Sequence, residues 1–279
     1  IYKFDGVPLR QPSKEAQTLS QYNYFGGKSE EEFWGSNSCF LISDEYLAYE
    51  QNGCSKEVYP NRPKVFLIGD SHSAYLGRGM RALMAEEKMN LYQFSSAYCV
   101  PMSVHDKRDR CKKINEYILN KIKQEKPDII VLSVNYLRTE VEPAYGESIP
   151  YDQFILEKTI ELKKMGATKI LVIGQMPTWD ISLPKNLARR FLAKGRELPV
   201  RTHEGIVPNS LDWDRRLREN HYPNNVTYLS LKNLLCDTSG CITQVGNQLE
   251  TDLIVFDYGH LTQSGADFVT RNLIAKHIY

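Results

Sequence analysis

The sequence predicts an α/β protein: a parallel sheet covered by helices on both faces, preceded by an irregular N-terminal stretch. Short apolar runs alternate with stretches of helical period from residue 63 onward. Turn-forming residues punctuate the ends of the apolar runs, and a helical stretch closes the chain.

The first 62 residues are rich in Tyr, Gly, Asn, Gln and Ser and carry no sustained period. Gly26-Gly27 and Asn52-Gly53 are turn signals there. This stretch is read as an extension packed on the main domain, because its many aromatics are costly to leave in water. Residues 63–279 form the predicted main domain. Lys64 opens a strand over 64–68, followed by a helix over 74–87 and a second strand over 91–94. A helix over 111–126 ends before Pro127, which leads into an apolar strand over 129–134. A helix over 151–164 stops at Gly166 and precedes the strand 170–173. The strand 226–229 and a closing helix over 264–277 complete the pattern.

Between Pro177 and Pro223 the alternation breaks. Leu183, Leu187 and Phe191 recur at helical spacing beside Lys185, Arg189, Arg190, Lys194, Arg196 and Arg201. This is read as an amphipathic helix with a solvated basic face; the alternative is a lid or rim that meets an anionic glycan or lipid head group.

Composition excludes several classes. The chain has 279 residues, 42% hydrophobic and 25% charged, enough to bury a full core. Thirty-five Lys and Arg against 34 Asp and Glu leave a formal charge of +1, which argues against a nucleic-acid binder. No apolar run approaches the roughly 18 residues of a membrane helix. The chain opens at Ile1 without a basic start and apolar run, and is read as a mature or excised portion of something longer.

Cys39, Cys54, Cys99, Cys111, Cys236 and Cys241 fall into three sequence-local couples. The favoured reading pairs Cys39 with Cys54, Cys99 with Cys111 and Cys236 with Cys241, which implies an oxidising compartment; the alternative is six free buried thiols. Zinc-type C-x-x-C spacing is missing, and His72, His105, His203, His221 and His277 lack partners at metal-ligand spacing. Neither a metal nor a redox cofactor is therefore expected.

Two short stretches carry chemistry. Gly69-Asp70-Ser71-His72 lies directly after an apolar strand and before a helix. Parallel sheets put their reactive loops at the carboxyl ends of strands, and a helix start offers N–H groups to a developing oxyanion. Asp70 and Ser71 also suit a plain helix cap. The second stretch is Asp257-Tyr258-Gly259-His260, just before the last helix. A serine hydroxyl needs an imidazole to take its proton, and the imidazole needs an acid to orient it. Each stretch supplies what the other lacks. Gly77-Arg78-Gly79 falls inside the first helix and has no third glycine, so it is not a dinucleotide loop; Gly-x-Ser-x-Gly is missing around Ser71. Asn225-Val226-Thr227 fits a glycosylation triplet of the kind that arises by chance.

Gly-Asp-Ser-His after the first strand and Asp-x-x-His before the last helix resemble the first and last motif blocks of SGNH hydrolases, relatives of the GDSL esterases. His72 after the serine, the phrase His260-Leu261-Thr262-x-x-Gly265-Ala266 and the N-terminal extension are similar to the extracytoplasmic SGNH domain of acyltransferase-3 family O-acetyltransferases. The resemblance implies a three-layer α/β/α, flavodoxin-like fold. It implies Ser71 as nucleophile, His260 as general base and then acid, and Asp257 as the residue that orients His260. SGNH enzymes complete the oxyanion hole with a glycine after the second strand and an asparagine after the third. Here Ser95-Ser96-Ala97-Tyr98 has no glycine, and Asn135 stands outside the usual Gly-x-Asn context. The oxyanion donors expected are the Ser71 N–H and the Asn135 side chain, the latter against the reading of an ordinary turn residue.

The function implied is O-acyl transfer, acetyl by resemblance, to a surface polysaccharide such as lipopolysaccharide O-antigen. The acyl donor would come from acetyl-CoA through a membrane acyltransferase domain of the full-length polypeptide. The location implied is periplasmic and tethered to the inner membrane. Two rivals remain: a secreted esterase or deacetylase with the same three residues, and a non-catalytic SGNH module that binds glycan or docks to a partner.

Overall fold

The computed structural model describes residues 13–22, 39–137, 140–141, 149–193 and 197–279. Six strands form one parallel sheet: β1 (Phe40–Leu41), β2 (Lys64–Gly69), β3 (Asn90–Ser96), β4 (Ile129–Ser133), β5 (Lys169–Ile173) and β6 (Val226–Leu229). Their spatial order is β1-β3-β2-β4-β5-β6. The expected parallel sheet with helices on both faces is thus the observed architecture.

The strand sequences explain the layering. Side chains alternate across a strand, and here both sides of the alternation are apolar. Val65 and Leu67 of β2, Val131 of β4 and Leu171 and Ile173 of β5 enter one core. Phe66, Ile68, Ile130, Leu132, Ile170 and Val172 enter the other. The helices α1 (Lys14–Ser20), α3 (Ser71–Glu86), α6 (Leu183–Ala193), α8 (Leu231–Leu235) and α9 (Gln263–Val269) supply the first face. On the second face lie α2 (Ala48–Gln51), α4 (Asp109–Glu125), α5 (Tyr151–Lys164) and α7 (Pro208–Glu219). Leu183, Leu187 and Phe191 are the buried stripe of α6, as their spacing predicts.

Several local readings need correction. The stretch before residue 63 is not without regular structure: Ser13 caps α1 by accepting from the Ala16 N–H, and β1 pairs with Ser95 and Ser96 of β3. Helix α3 begins at Ser71, three residues earlier than its apolar pattern, because the Asp70 carboxylate accepts the His72 N–H at 2.9 Å. The region 177–223 holds a second helix, α7, whose buried face is only Ser210, Trp213, Asp214 and Leu217. The closing helix is not uniform: α9 passes into a π-helical turn at Thr270–Ile274 and a 3₁₀ turn at Ala275–His277. Gly26-Gly27, Lys194 and Arg196 lie outside the described residues.

Disulfides join Cys39 to Cys54, Cys99 to Cys111 and Cys236 to Cys241. The first holds the short edge strand β1 to the segment beneath it. The second ties the loop after β3 to the first turn of α4. The third closes a small antiparallel hairpin that pairs with Arg201–Thr202. Arg201, part of the expected basic face, donates instead to the Leu235 and Gly240 carbonyls. The Asn225 amide donates to the Ala167 carbonyl at 2.8 Å, a structural role at the start of β6.

Strand order decides where a site can form. From β2 the chain passes to β3 on one side, then crosses back to β4 on the other. The carboxyl ends of β2 and β4 therefore diverge at the switch point, the usual crevice of an open α/β sheet.

Candidate active site

Gly69 ends β2 opposite Ser133 of β4. A Cβ at Gly69 would lie 1.8 Å from the Ser133 carbonyl oxygen, so only glycine lets the two strand ends run this close. Asp70 follows, and its carboxylate joins two turns: one oxygen accepts the His72 N–H at 2.9 Å, the other the Asn135 N–H at 3.0 Å. Asp70 is buried, and the two charge-assisted bonds are its compensation. Ser71 is thereby set as the first residue of α3, with its N–H at the open helix start.

The partner loop arrives from the far end of the chain. Val255 bridges to Leu261, and the Phe256 N–H donates to the His260 carbonyl at 3.0 Å, which leaves Asp257-Tyr258-Gly259 as a tight tip. One Asp257 oxygen accepts the N–H groups of Gly259 and His260, at 2.9 and 2.8 Å. The other lies 2.6 Å from His260 Nδ1. His260 Nε2 lies 2.9 Å from Ser71 Oγ. Asp257, His260 and Ser71 are thus joined in one hydrogen-bonded row across 189 residues of sequence separation.

The surroundings hold that row in place. The His260 ring stacks on Phe256 at 5.8 Å and meets Tyr75 and Tyr258 edge-on, both at 5.0 Å. Its side chain is 12% exposed and that of Asp257 30%. The enclosed imidazole is thus fixed in orientation beside a carboxylate open to solvent. Tyr75 donates a long hydrogen bond to the Gly259 carbonyl, and burial pushes its phenol well above the ordinary range, so it stays a donor. His72 is buried, packed on Tyr75 and His260.

Asn135 reaches the crevice through its backbone. Its N–H binds Asp70, and its side-chain oxygen accepts the Leu137 N–H at 3.1 Å. This turn commits the amide oxygen. Among the described residues no group accepts from its Nδ2, which remains a donor at the end of β4. After β3, the Ala97 N–H is occupied by the Leu41 carbonyl, and Tyr98 takes a φ of 62°. That left-handed conformation is one a glycine would adopt freely.

Two contributions had no clear signature in the sequence. Asp70 looks like a helix cap and also ties β4 to β2. The segment after β5 backs the Asp257 loop: the Trp179 N–H donates to the Tyr258 carbonyl at 2.8 Å and the Leu183 N–H to the Asp257 carbonyl at 3.0 Å. Main-chain bonds of this kind leave no residue pattern; only the place of 177–183 after a strand's carboxyl end hints at them. No group of three His, Cys, Asp or Glu side chains suited to a metal ion occurs among the described residues.

The chain belongs to the family of SGNH domains fused to AT3 domains, whose sequence model matches residues 38–275. Among solved structures, it is similar to the periplasmic domain of a lipopolysaccharide acetyltransferase from Salmonella ser. Paratyphi A. The match has a TM-score of 0.73 and covers 96% of this chain and 98% of that one, at 22% identity, a likeness of fold. No curated protein matches the sequence.

Proposed function

We propose that this domain transfers an acyl group, acetyl by analogy with the Salmonella protein, to a hydroxyl of a cell-surface polysaccharide of the lipopolysaccharide type. The single observation that carries the reading is the hydrogen-bonded row from Asp257 through His260 to Ser71.

In this reading Ser71 Oγ attacks the acyl carbonyl carbon while His260 Nε2 takes the hydroxyl proton. Asp257 keeps the Nδ1 proton facing itself, so that Nε2 is the basic nitrogen, and balances the imidazolium that forms. The tetrahedral oxyanion is met by the Ser71 N–H and the Asn135 Nδ2. Collapse expels the donor's leaving group, protonated by His260, and leaves an acyl-Ser71 ester. The acceptor hydroxyl then gives its proton to His260 and attacks the ester. The second tetrahedral intermediate breaks its bond to Ser71 Oγ, His260 returns the proton to that oxygen, and the acyl group leaves on the acceptor. Pre-set donors of this kind lower the barrier by about 3 kcal/mol each. In this reading the base, the nucleophile and both oxyanion donors are groups of this chain.

The family's fusion to AT3 domains supports a membrane acyltransferase domain as the source of the acyl group, drawing on acetyl-CoA. The three disulfides support an oxidising, periplasmic location for this part of the polypeptide.

The test is polysaccharide acetylation by the full-length protein in cells, compared with Ser71→Ala. Loss of acetyl esters from the polysaccharide, with normal protein level, is expected. Retained acetylation in Ser71→Ala would refute the nucleophile and favour a glycan-binding or docking module. Release of free acetate under every acceptor condition, with no glycan ester formed, would make the domain an esterase.

A further inference from the structure

Beneath the Ser71 turn runs a chain of side-chain hydrogen bonds that the proposed reaction steps do not use. Arg81 Nη1 donates to Gln93 Oε1 at 2.5 Å, and Gln93 Nε2 donates to Ser95 Oγ at 3.2 Å. Ser95 Oγ and Ser73 Oγ are 2.7 Å apart, and Ser73 Oγ donates to the Asp70 carbonyl at 2.8 Å. A hydroxyl has one proton to give. Because that of Ser73 goes to the carbonyl, Ser95 must donate to Ser73. Every bond therefore points the same way, from a guanidinium toward one peptide oxygen.

That peptide is the one between Asp70 and Ser71, and its other end is the Ser71 N–H. Its oxygen already accepts the N–H groups of Ser73 and Ala74, at 3.1 and 3.2 Å. Gln93, Ser95 and Ser73 are all buried. Two glycines make room for the chain: a Cβ at Gly77 would lie 2.3 Å from Gln93 Oε1, and one at Gly69 would lie 2.8 Å from Ser73 Cβ. Gly77 belongs to the Gly-x-Gly that is no dinucleotide loop, and the close passage of Gln93 accounts for it.

We propose that Arg81, Gln93, Ser95 and Ser73 are positioning residues that orient and polarise the Asp70–Ser71 peptide, so that the Ser71 N–H is a stronger oxyanion donor. The inference rests on Ser71 being the nucleophile. Aligned hydrogen bonds strengthen one another in a buried setting, by about 10–30% per bond. Withdrawing electron density from the carbonyl end of a peptide makes its N–H end more positive. The relay thus reinforces the one main-chain donor in a site that has no glycine after β3.

The experiment measures three things on purified protein: labelling rate by a fluorophosphonate probe, kcat and KM for p-nitrophenyl acetate, and Tm. The variants are Ser71→Ala, Ser73→Ala and Arg81→Gln. Ser73→Ala is expected to label about tenfold more slowly, with kcat lowered and KM unchanged, a fraction of what losing a whole oxyanion donor costs. Arg81 is exposed and lies about 15 Å along the helix from Ser71. Its replacement by Gln is expected to slow labelling roughly threefold through the relay alone. A merely structural role for Arg81 would shift Tm and leave kcat as it was; that result overturns the relay. Should Ser73→Ala not fold, Arg81→Gln decides by the same criterion. Parent-like labelling of a folded Ser73→Ala, alongside a silent Ser71→Ala, overturns the relay and leaves the nucleophile intact. Full hydrolysis by Ser71→Ala instead overturns the reading on which the relay rests.

Discussion

Replacing Asp257 by Asn tests the site most directly, because the structure dictates how the new amide must turn. One oxygen of Asp257 receives two main-chain N–H groups, from Gly259 and His260, at 2.9 and 2.8 Å. In Asp257→Asn that place must be kept by the amide oxygen, since an NH₂ there would face two donors. The NH₂ is thereby turned toward His260 Nδ1, the position now 2.6 Å from the second carboxylate oxygen. A donor facing Nδ1 forces that nitrogen to accept, and the ring proton moves to Nε2. The nitrogen 2.9 Å from Ser71 Oγ then carries a hydrogen and has no lone pair for the serine proton. Fold and loop survive while the proposed base is lost, and a serine–histidine–aspartate site slowed in this way drops about 10⁴-fold. That is about 5.4 kcal/mol of barrier. The assay is fluorophosphonate labelling and p-nitrophenyl acetate turnover, with Tm as the control. A folded Asp257→Asn within about tenfold of the parent rate would refute the argument, because the carboxylate would then not be setting the tautomer.

Four further outcomes follow from close contacts and cross-links. Gly69→Ala places a methyl 1.8 Å from the Ser133 carbonyl oxygen and is expected to cost at least about 3 kcal/mol in urea unfolding; a parent-like midpoint would contradict the strand spacing. In Gly259→Ala the new methyl meets Thr178 Cγ2 at 2.8 Å, so the loop shifts and labelling slows; Thr178→Ser, which removes that methyl, is expected to restore the rate in the double variant, and failure to do so would place the fault elsewhere. Cys39→Ala with Cys54→Ala removes a cross-link 15 residues apart and should lower stability by about 3 kcal/mol. Removing the Cys236–Cys241 link, 5 residues apart, should cost about 2 kcal/mol, and the reverse ranking in chemical unfolding would count against loop closure as its source.

The parts of the fold that could be read in advance are those whose burial is two-sided. β2, β4 and β5 are continuous apolar runs because they are covered on both faces, and such runs stand out against polar helices. α7 did not stand out, because its inner face is one tryptophan, one leucine, a serine and a buried aspartate. Asp214 belongs inside only because Tyr228, Ser230 and Arg218 meet it there, which no local pattern announces. The site divides in the same way. Ser71, His260 and Asp257 declare themselves by residue type next to strand and helix ends. Ser73 and Ser95 are ordinary serines until the sheet register sets Gly69 beside Ser95. The main-chain bonds from Trp179 and Leu183 to the Asp257 loop involve no side chain at all.

How the serine and histidine come to be 2.9 Å apart is then a question about two helices rather than two loops. The serine turn is anchored to the sheet by Gly69 and Asp70. The histidine loop is anchored to the segment after β5 by Trp179 and Leu183. Between the two anchors stand α3, which begins at Ser71, and α9, which begins three residues after His260. These helices pack backbone against backbone: a Cβ at Gly79 would lie 2.6 Å from the Ala266 carbonyl oxygen and equally close to Thr270 Oγ1. Any side chain at 79 must push the helices apart, and the displacement is carried along two stiff rods to the ends that hold Ser71 and His260. The hydrogen bond across the site is short-ranged, so a shift of about 1 Å at the helix contact is enough to break it. Gly79 therefore matters to the Ser71–His260 hydrogen bond from a position well away from it.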